Sequence, residues 1–218
     1  MKLAIFDMDG TLIDSQALIV GAMVSAFQRL DMLPPTRADI LSIVGLSLPQ
    51  AMDRLAPANV TPDAIAALVD AYRTAFIALR AETGGEASVP LYPGALDALG
   101  ALAAQGWLLG VATGKARRGV DHVFAAHGLG HFFSTVQTAD GHPSKPHPSM
   151  IETALFETGV APSDAIMIGD TTFDIEMGCA AGVRSIGVTW GYHPEAQLRQ
   201  AGASDILTHF DELVPLLT

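Results

Sequence analysis

Short unbroken apolar runs alternate along the chain with longer stretches in which apolar positions recur every three or four residues. The first run, Leu3-Ala4-Ile5-Phe6, stops abruptly at Asp7. An apolar run of that length, with no polar alternation, predicts a central parallel strand buried on both faces. The same reading predicts strands over Trp107 to Thr113, Thr135 to Ala139, Ala165 to Gly169, Arg184 to Thr189 and Ser204 to Leu207. Helices are predicted from Pro93 to Gln105, Lys115 to His127 and His147 to Thr158, each followed by a glycine suited to ending it. Further helices end at Gly182 and cover Pro194 to Ala201 and Asp211 to Leu217. Helices alternating with short strands imply right-handed crossovers, hence an α/β chain with a doubly wound, Rossmann-like parallel sheet.

Residues 16–80 depart from that rhythm. Leu18, Ala22, Ala26 and Leu30 recur at four-residue spacing with Ile19, Met23 and Phe27 beside them, which predicts a helix capped by Asp14 or Ser15 and stopped by Pro34 and Pro35. Gly45 and Pro49 divide the stretch from Ala38 to Leu55 into two short helices with a bend. Thr61 as cap and Pro62 in the first helical position open a strong helix, whose stripe is Ile65, Leu68, Val69, Tyr72, Phe76 and Leu79. With no strand pattern here, the stretch reads as an all-helical insertion. The run from Thr83 to Gly94 concentrates glycine and proline and reads as its return linker. The expected division is core over 1–14, inserted helices over 15–86 and core again over 87–218.

Composition narrows the function classes. Half of the residues are hydrophobic and the formal net charge is −11, with no run of lysine and arginine. That charge excludes a nucleic-acid or anionic-membrane partner and leaves a small anionic substrate, neutralised locally by a cation and a few basic groups. The single cysteine, Cys179, allows no internal disulfide and fits a reducing compartment; beside Ala180, Ala181 and Gly182 it is expected to be a packed core thiol. Asp7 ends the first apolar run too early for a signal peptide and no run is long enough to span a bilayer, so a soluble cytoplasmic monomer or homodimer is expected.

Reactive side chains gather where strands end, the place where open α/β sheets bind ligands. In an extended segment Asp7 and Asp9 share a face, so a divalent cation between them or a proton on one is expected. Gly10 permits a sharp exit and Thr11 can hold a carboxylate through its hydroxyl. Thr113 and Gly114 offer a hydroxyl and an amide at a strand-to-helix turn, a site for phosphate oxygens, although threonine also caps helices routinely. Lys145 stands between Ser144 and Pro146 just before a helix, as a site residue or a solvated turn lysine. Asp170 ends another apolar strand and Asp174 follows one helical turn on; alternatively both only charge a helix start. Ile43 to Leu48 is either a loop that meets the substrate or a plain helix connection. The seven histidines form no zinc pattern, and His142 and His147 read as loop and helix-start residues. Taken together these groups supply a nucleophilic carboxylate, a second carboxylate for proton transfer, a hydroxyl and a lysine for phosphate, and acids for a hard cation such as Mg2+.

In this order the residues resemble the four motifs of the haloacid dehalogenase superfamily of phosphohydrolases: Asp7-Met8-Asp9-Gly10-Thr11, Thr113, Lys145, and Gly169-Asp170 through Asp174. The helical insertion resembles that superfamily's small helical cap, and the resemblance covers essentially the whole chain. It implies a magnesium-dependent phosphatase acting on a small phosphorylated metabolite through an aspartyl phosphate. Asp7 would be the nucleophile and a metal ligand, and Asp9 the acid and base, with its carbonyl on the metal. Thr113 and Gly114 would hold phosphate oxygens, Lys145 would neutralise charge, Asp170 would ligate the metal and Asp174 would order a water or Lys145. The acid at position 9 argues against the dehalogenase branch. Phosphoglycolate phosphatases look most similar, including the stretch Val188 to His193, although Gly114 stands where many relatives have asparagine. A phosphosugar mutase with the same core chemistry is a second reading. A phosphorylation-controlled receiver module is a third, opposed by the chain length, the insertion and Asp9.

Overall fold

The first strand, β1 (Leu3–Phe6), occupies the middle of a six-stranded parallel sheet of order β3-β2-β1-β4-β5-β6 in the computed structural model, which describes residues 1–84 and 89–217. Its neighbours are β2 (Leu108–Thr113) and β4 (Ala165–Gly169), followed outward by β3 (Phe133–Thr138) on one side and by β5 (Arg184–Val188) and β6 (Asp205–Leu207) on the other. Phe6 is in register with Val111 and with Ile168, so the chain leaves all three central strands at one edge. That register brings Asp7, Thr113 and Asp170 together.

Four consecutive apolar residues are buried in β1 because its two faces meet different layers. Ala4 and Phe6 pack with Leu99, Val120 and Leu213 from α5 (Ala95–Ala104), α6 (Arg117–His127) and α10 (Leu213–Leu217). Leu3 and Ile5 pack on the other side with Met150, Ile151 and Met177, from α7 (Ser149–Thr158) and α8 (Thr172–Ala180). A helix α9 (Glu195–Ala201) completes the alternation before β6. The sheet is the expected doubly wound one. Its third strand starts at Phe133 and not at Thr135, because Phe133 already pairs with Leu109 of β2; its ring stacks on Phe124 of α6 with centroids 5.1 Å apart.

Between β1 and α5 lie α1 (Gln16–Arg29), α2 (Arg37–Ser42), α3 (Leu48–Leu55) and α4 (Pro62–Glu82), with no strand among the described residues. The Thr61 hydroxyl accepts a hydrogen bond from Ala64 N (3.3 Å) and starts α4 as its sequence suggests. The four helices enclose an apolar cluster of their own, built on Met23, Phe27, Ile40, Met52 and Leu68, into which Phe173 of α8 inserts. The boundary expected at 86/87 lies outside the described residues. Cys179 is exposed, not a core thiol; it sits on the outer face of α8, its sulfur 3.8 Å from the Gly202 carbonyl beyond α9. None of the helices among the described residues is long and apolar enough to cross a membrane.

Candidate active site

Asp7 is the first residue beyond β1 and is almost wholly buried. The ammonium of Lys145, itself inaccessible to solvent, lies 2.8 Å from Asp7 Oδ1 and 2.5 Å from Asp174 Oδ1. This removes the reading of Lys145 as a solvated turn lysine. Apart from that ion pair, neither Asp7 oxygen receives a hydrogen bond among the described residues. Burial is the largest force pushing the Asp7 carboxyl up to about 7; Lys145 opposes it, while Asp174 and Asp9 add to it. Burial alone would lower the Lys145 pKa, but Asp174 and Asp7 outweigh it and hold the ammonium charged.

Asp170 is clamped by two donors: Thr11 Oγ1 donates to Oδ1 (2.8 Å) and Tyr192 N to Oδ2 (2.9 Å). Thr11 thus holds a carboxylate, as expected, from another strand. Gly10 makes the close approach feasible, since it has φ +90° and a Cβ there would stand 2.3 Å from Asp170 Oδ2. Burial, with Asp174 and Asp7 adding to it, pushes the Asp170 carboxyl well above its ordinary value. Asp174 serves two ends: Oδ2 accepts from Thr171 N (3.0 Å) and Thr171 Oγ1 (2.7 Å) at the start of α8, while Oδ1 faces Lys145. The helix-start and site readings of Asp174 therefore hold together.

Asp7, Asp170 and Asp174 each present one carboxylate oxygen to a space in which these atoms lie within 4.8 Å of one another. Three buried carboxylates against one ammonium leave negative charge uncompensated, and the all-oxygen donor set suits a hard divalent cation. Asp7, with no polar partner but Lys145 on its oxygens among the described residues, fits such an ion as ligand.

Asp9 takes a different direction from Asp7. Its Oδ1 accepts from Ser15 Oγ (2.6 Å), and both its oxygens face Lys115 Nζ at 2.9 and 3.0 Å. Asp7 faces Lys145 and Asp9 faces Lys115, and the Asp9 side chain lies outside the acid cluster. The sequence places neither Lys115 nor Ser15 at the site. A lysine two residues past Thr113 looks like any helix-start lysine, and Ser15 looks like the cap of α1, whose end in fact receives no side-chain cap from it.

Thr113 is buried, and its Oγ1 accepts a hydrogen bond from Lys115 N (3.2 Å). It lines a cavity of about 610 Å³ together with Asp7, Asp9, Gly114, Lys115, Tyr72, Phe76 and the whole loop from Ile43 to Leu48. The loop rests on the strand edge: Ser47 N donates to Ser144 Oγ (2.8 Å), and His193 Nε2 bonds the Ser42 carbonyl (3.2 Å). A Cβ on Gly114 would stand 2.5 Å from Gly45 O and 2.7 Å from Leu46 O. The loop backbone occupies the space that a side chain at 114 would need. His142, in the loop before α7 as expected, also lines the cavity, its ring hydrogen-bonded to Ser149 Oγ and Gln137 Oε1.

Comparison with known proteins gives matches over nearly the full length. Residues 4–188 match the model of the family described as haloacid dehalogenase-like hydrolase. The chain is 36% identical to the protein named Probable phosphatase IndB of Dickeya dadantii, over 97% of this chain and 91% of that one. It is 27% identical to a phosphoglycolate phosphatase of Nitrosococcus oceani, over 100% and 96% of the two chains. A haloacid dehalogenase-like family hydrolase from Streptococcus pneumoniae has a solved structure that superposes with a TM-score of 0.85 at 26% identity, covering 100% of this chain and 99% of that one.

Proposed function

Since the chain belongs to the haloacid dehalogenase-like hydrolase family and is a phosphoric monoester hydrolase, we propose that it acts on a small phosphorylated metabolite, phosphoglycolate-like or a sugar phosphate, through an aspartyl phosphate formed on Asp7. The observation that carries this reading is the state of Asp7. It is a buried carboxylate at a strand end, lining the cavity, with the sealed ammonium of Lys145 as its one polar partner among the described residues. A carboxylate left unsolvated in this way is a strong nucleophile toward an atom brought into line with it.

In the first step an Asp7 oxygen attacks phosphorus and the bond from phosphorus to the bridging oxygen breaks. The departing oxygen takes its proton from Asp9. In the second step water attacks the aspartyl phosphate, gives its proton to Asp9, and the bond from phosphorus to Asp7 breaks to release inorganic phosphate. Thr113 Oγ1 and the Gly114 amide hold nonbridging oxygens and Lys145 balances their charge. Asp7 and Asp170, with the main-chain carbonyl of Asp9, would hold Mg2+, while Asp174 orders Lys145. When bound, the cation supplies positive charge to the phosphate oxygens and favours the ionised forms of Asp7 and Asp170. Helices α1 to α4, from Gln16 to Glu82, act as a cap whose loop Ile43 to Leu48 closes the cavity against bulk water.

An aryl phosphate separates the two tasks of Asp9, because a phenolate leaves without a proton. Asp9→Asn should therefore release a burst of phenolate close to the enzyme concentration. Slow turnover should follow, limited by the loss of base assistance worth about 10² to 10⁴. Asp7→Asn should give no burst. A normal burst in Asp7→Asn would show that the nucleophile lies elsewhere.

A further inference from the structure

A line of hydrogen-bonded side chains runs between β3 and α7. Thr135 and Gln137 stand two residues apart in β3 and so share a face, where Glu157, exposed near the end of α7, meets both. Thr135 Oγ1 donates to Glu157 Oε2 (2.5 Å), and Gln137 Nε2 donates to the same carboxylate oxygen (2.8 Å) and to Thr135 Oγ1 (2.7 Å). Beyond Gln137 the line continues through an imidazole: His142 Nε2 bonds Gln137 Oε1 (2.9 Å), and His142 Nδ1 bonds the Oγ of Ser149 (2.8 Å), the first residue of α7. From Ser149 to Glu157 the helix rises about 12 Å. The line therefore joins the two ends of α7.

Every proton in this line follows from the carboxylate at its end. Glu157 can only accept, so the Thr135 hydroxyl gives it its one proton and the Gln137 amide turns its nitrogen that way. Gln137 Oε1 is thereby aimed at His142, whose Nε2 must carry the ring proton, and Nδ1, without one, accepts from the Ser149 hydroxyl. The neutral ring that this requires agrees with burial, which lowers the His142 pKa below its ordinary value against the opposing pull of Glu157. His142 lines the cavity with both nitrogens engaged, so it has neither a proton nor a lone pair to offer a substrate. What it holds is the chain itself. Its bond to Ser149 closes a loop that contains Ser144, on which Ser47 N rests, and Lys145, the partner of Asp7. Resting on the phosphatase reading above, we infer that Gln137 and Glu157 are positioning residues for the phosphate site, fixing through the His142 ring the segment that presents Lys145 and Ser144.

Nitrogen NMR shifts of the imidazole read the proton directly, and the wild-type ring is expected as the Nε2–H tautomer. Glu157→Ala removes the carboxylate from an exposed position, with little change in melting temperature, and frees the Gln137 amide to turn over. The ring should then populate both tautomers. On an aryl phosphate kcat should fall about 10-fold with KM nearly unchanged, since displacing a positioned group by about 1 Å can cost 10²-fold. Glu157→Gln keeps an accepting oxygen and should restore the tautomer and most of kcat. Gln137→Leu breaks the line in its middle, and adding Glu157→Ala to it should cost no further activity, because the two residues act through one ring. A wild-type ring in the Nδ1–H form, a tautomer that Glu157→Ala leaves alone, or a kcat that stays put while the tautomer changes would each overturn the inference, as would additive losses in the double variant. Wild-type protein that released no phosphate from the aryl ester would instead overturn the phosphatase reading, and this inference with it, whatever the tautomer of the ring.

Discussion

Lys145 is the residue on which the acid cluster depends, since its ammonium reaches both Asp7 and Asp174 with no access to solvent. Removing one partner of a buried charge pair typically costs about 3–5 kcal/mol, because the other charge stays buried and unpaired. Lys145→Met is therefore expected to lower the melting temperature strongly and to reduce kcat by about 10² to 10³, as loss of a preorganised cation does elsewhere. Calorimetry and steady-state kinetics on the same preparation check both; a variant as stable as the wild type would show that the three acids are already protonated or solvated. Asp7, Thr113, Lys145 and Asp170 were legible in the sequence because each follows an apolar run or precedes a helix with a reactive group. Lys115 and Ser15 were not, because what distinguishes them is the direction of a side chain. For Lys115 that direction is fixed by Gly119 behind the stem and by Asp9, 106 residues away, in front; for Ser15 it is fixed by Asp9.

At the scale of elements, periodicity was a reliable guide wherever burial decided the matter. Doubly buried β1 and the striped helix α4 fall where their apolar positions put them. The loop from Ile43 to Leu48 was ambiguous, because a helix connection and a substrate-facing loop have the same composition. Its meaning comes from where it rests, with its carbonyls against Gly114 and Ser47 N on Ser144. Gly114→Ala tests that seat. The added Cβ meets backbone oxygens at 2.5 and 2.7 Å, and backbone cannot turn away as a side chain tip can, so the loop must lift. Misplacement of positioning groups by about 1 Å can cost 10²-fold, so a fall of about 10- to 100-fold in kcat/KM is expected with little change in melting temperature. Solution scattering with and without a phosphate transition-state mimic should show a less compact bound form in the variant. Unchanged kinetics would mean that the loop does not set the geometry of the phosphate site.

For the whole molecule, a formal charge of −11 surrounds a core edge in which three carboxylates are buried. Asp7 is pushed up to about 7 and Asp170 well above its ordinary value, burial being the largest cause for both. An acid whose folded pKa is raised binds more protons folded than unfolded, so its contribution to stability is present below its ordinary value of 3.8 and is lost as pH rises through the folded value. The metal-free protein should accordingly lose stability from Asp7 between about pH 4 and 7, a trend that Asp7→Asn removes. A divalent cation held by Asp7 and Asp170 binds the ionised forms, and so competes with protons at low pH and not at high pH. The rise in melting temperature on adding Mg2+ is thus expected to be small at pH 5 and large at pH 8, and to vanish in Asp170→Asn. This measurement needs no substrate and no turnover. A rise of equal size at both pH values would place the cation on exposed carboxylates of the acidic surface, and a rise that survived in Asp170→Asn would remove Asp170 from the ligand set.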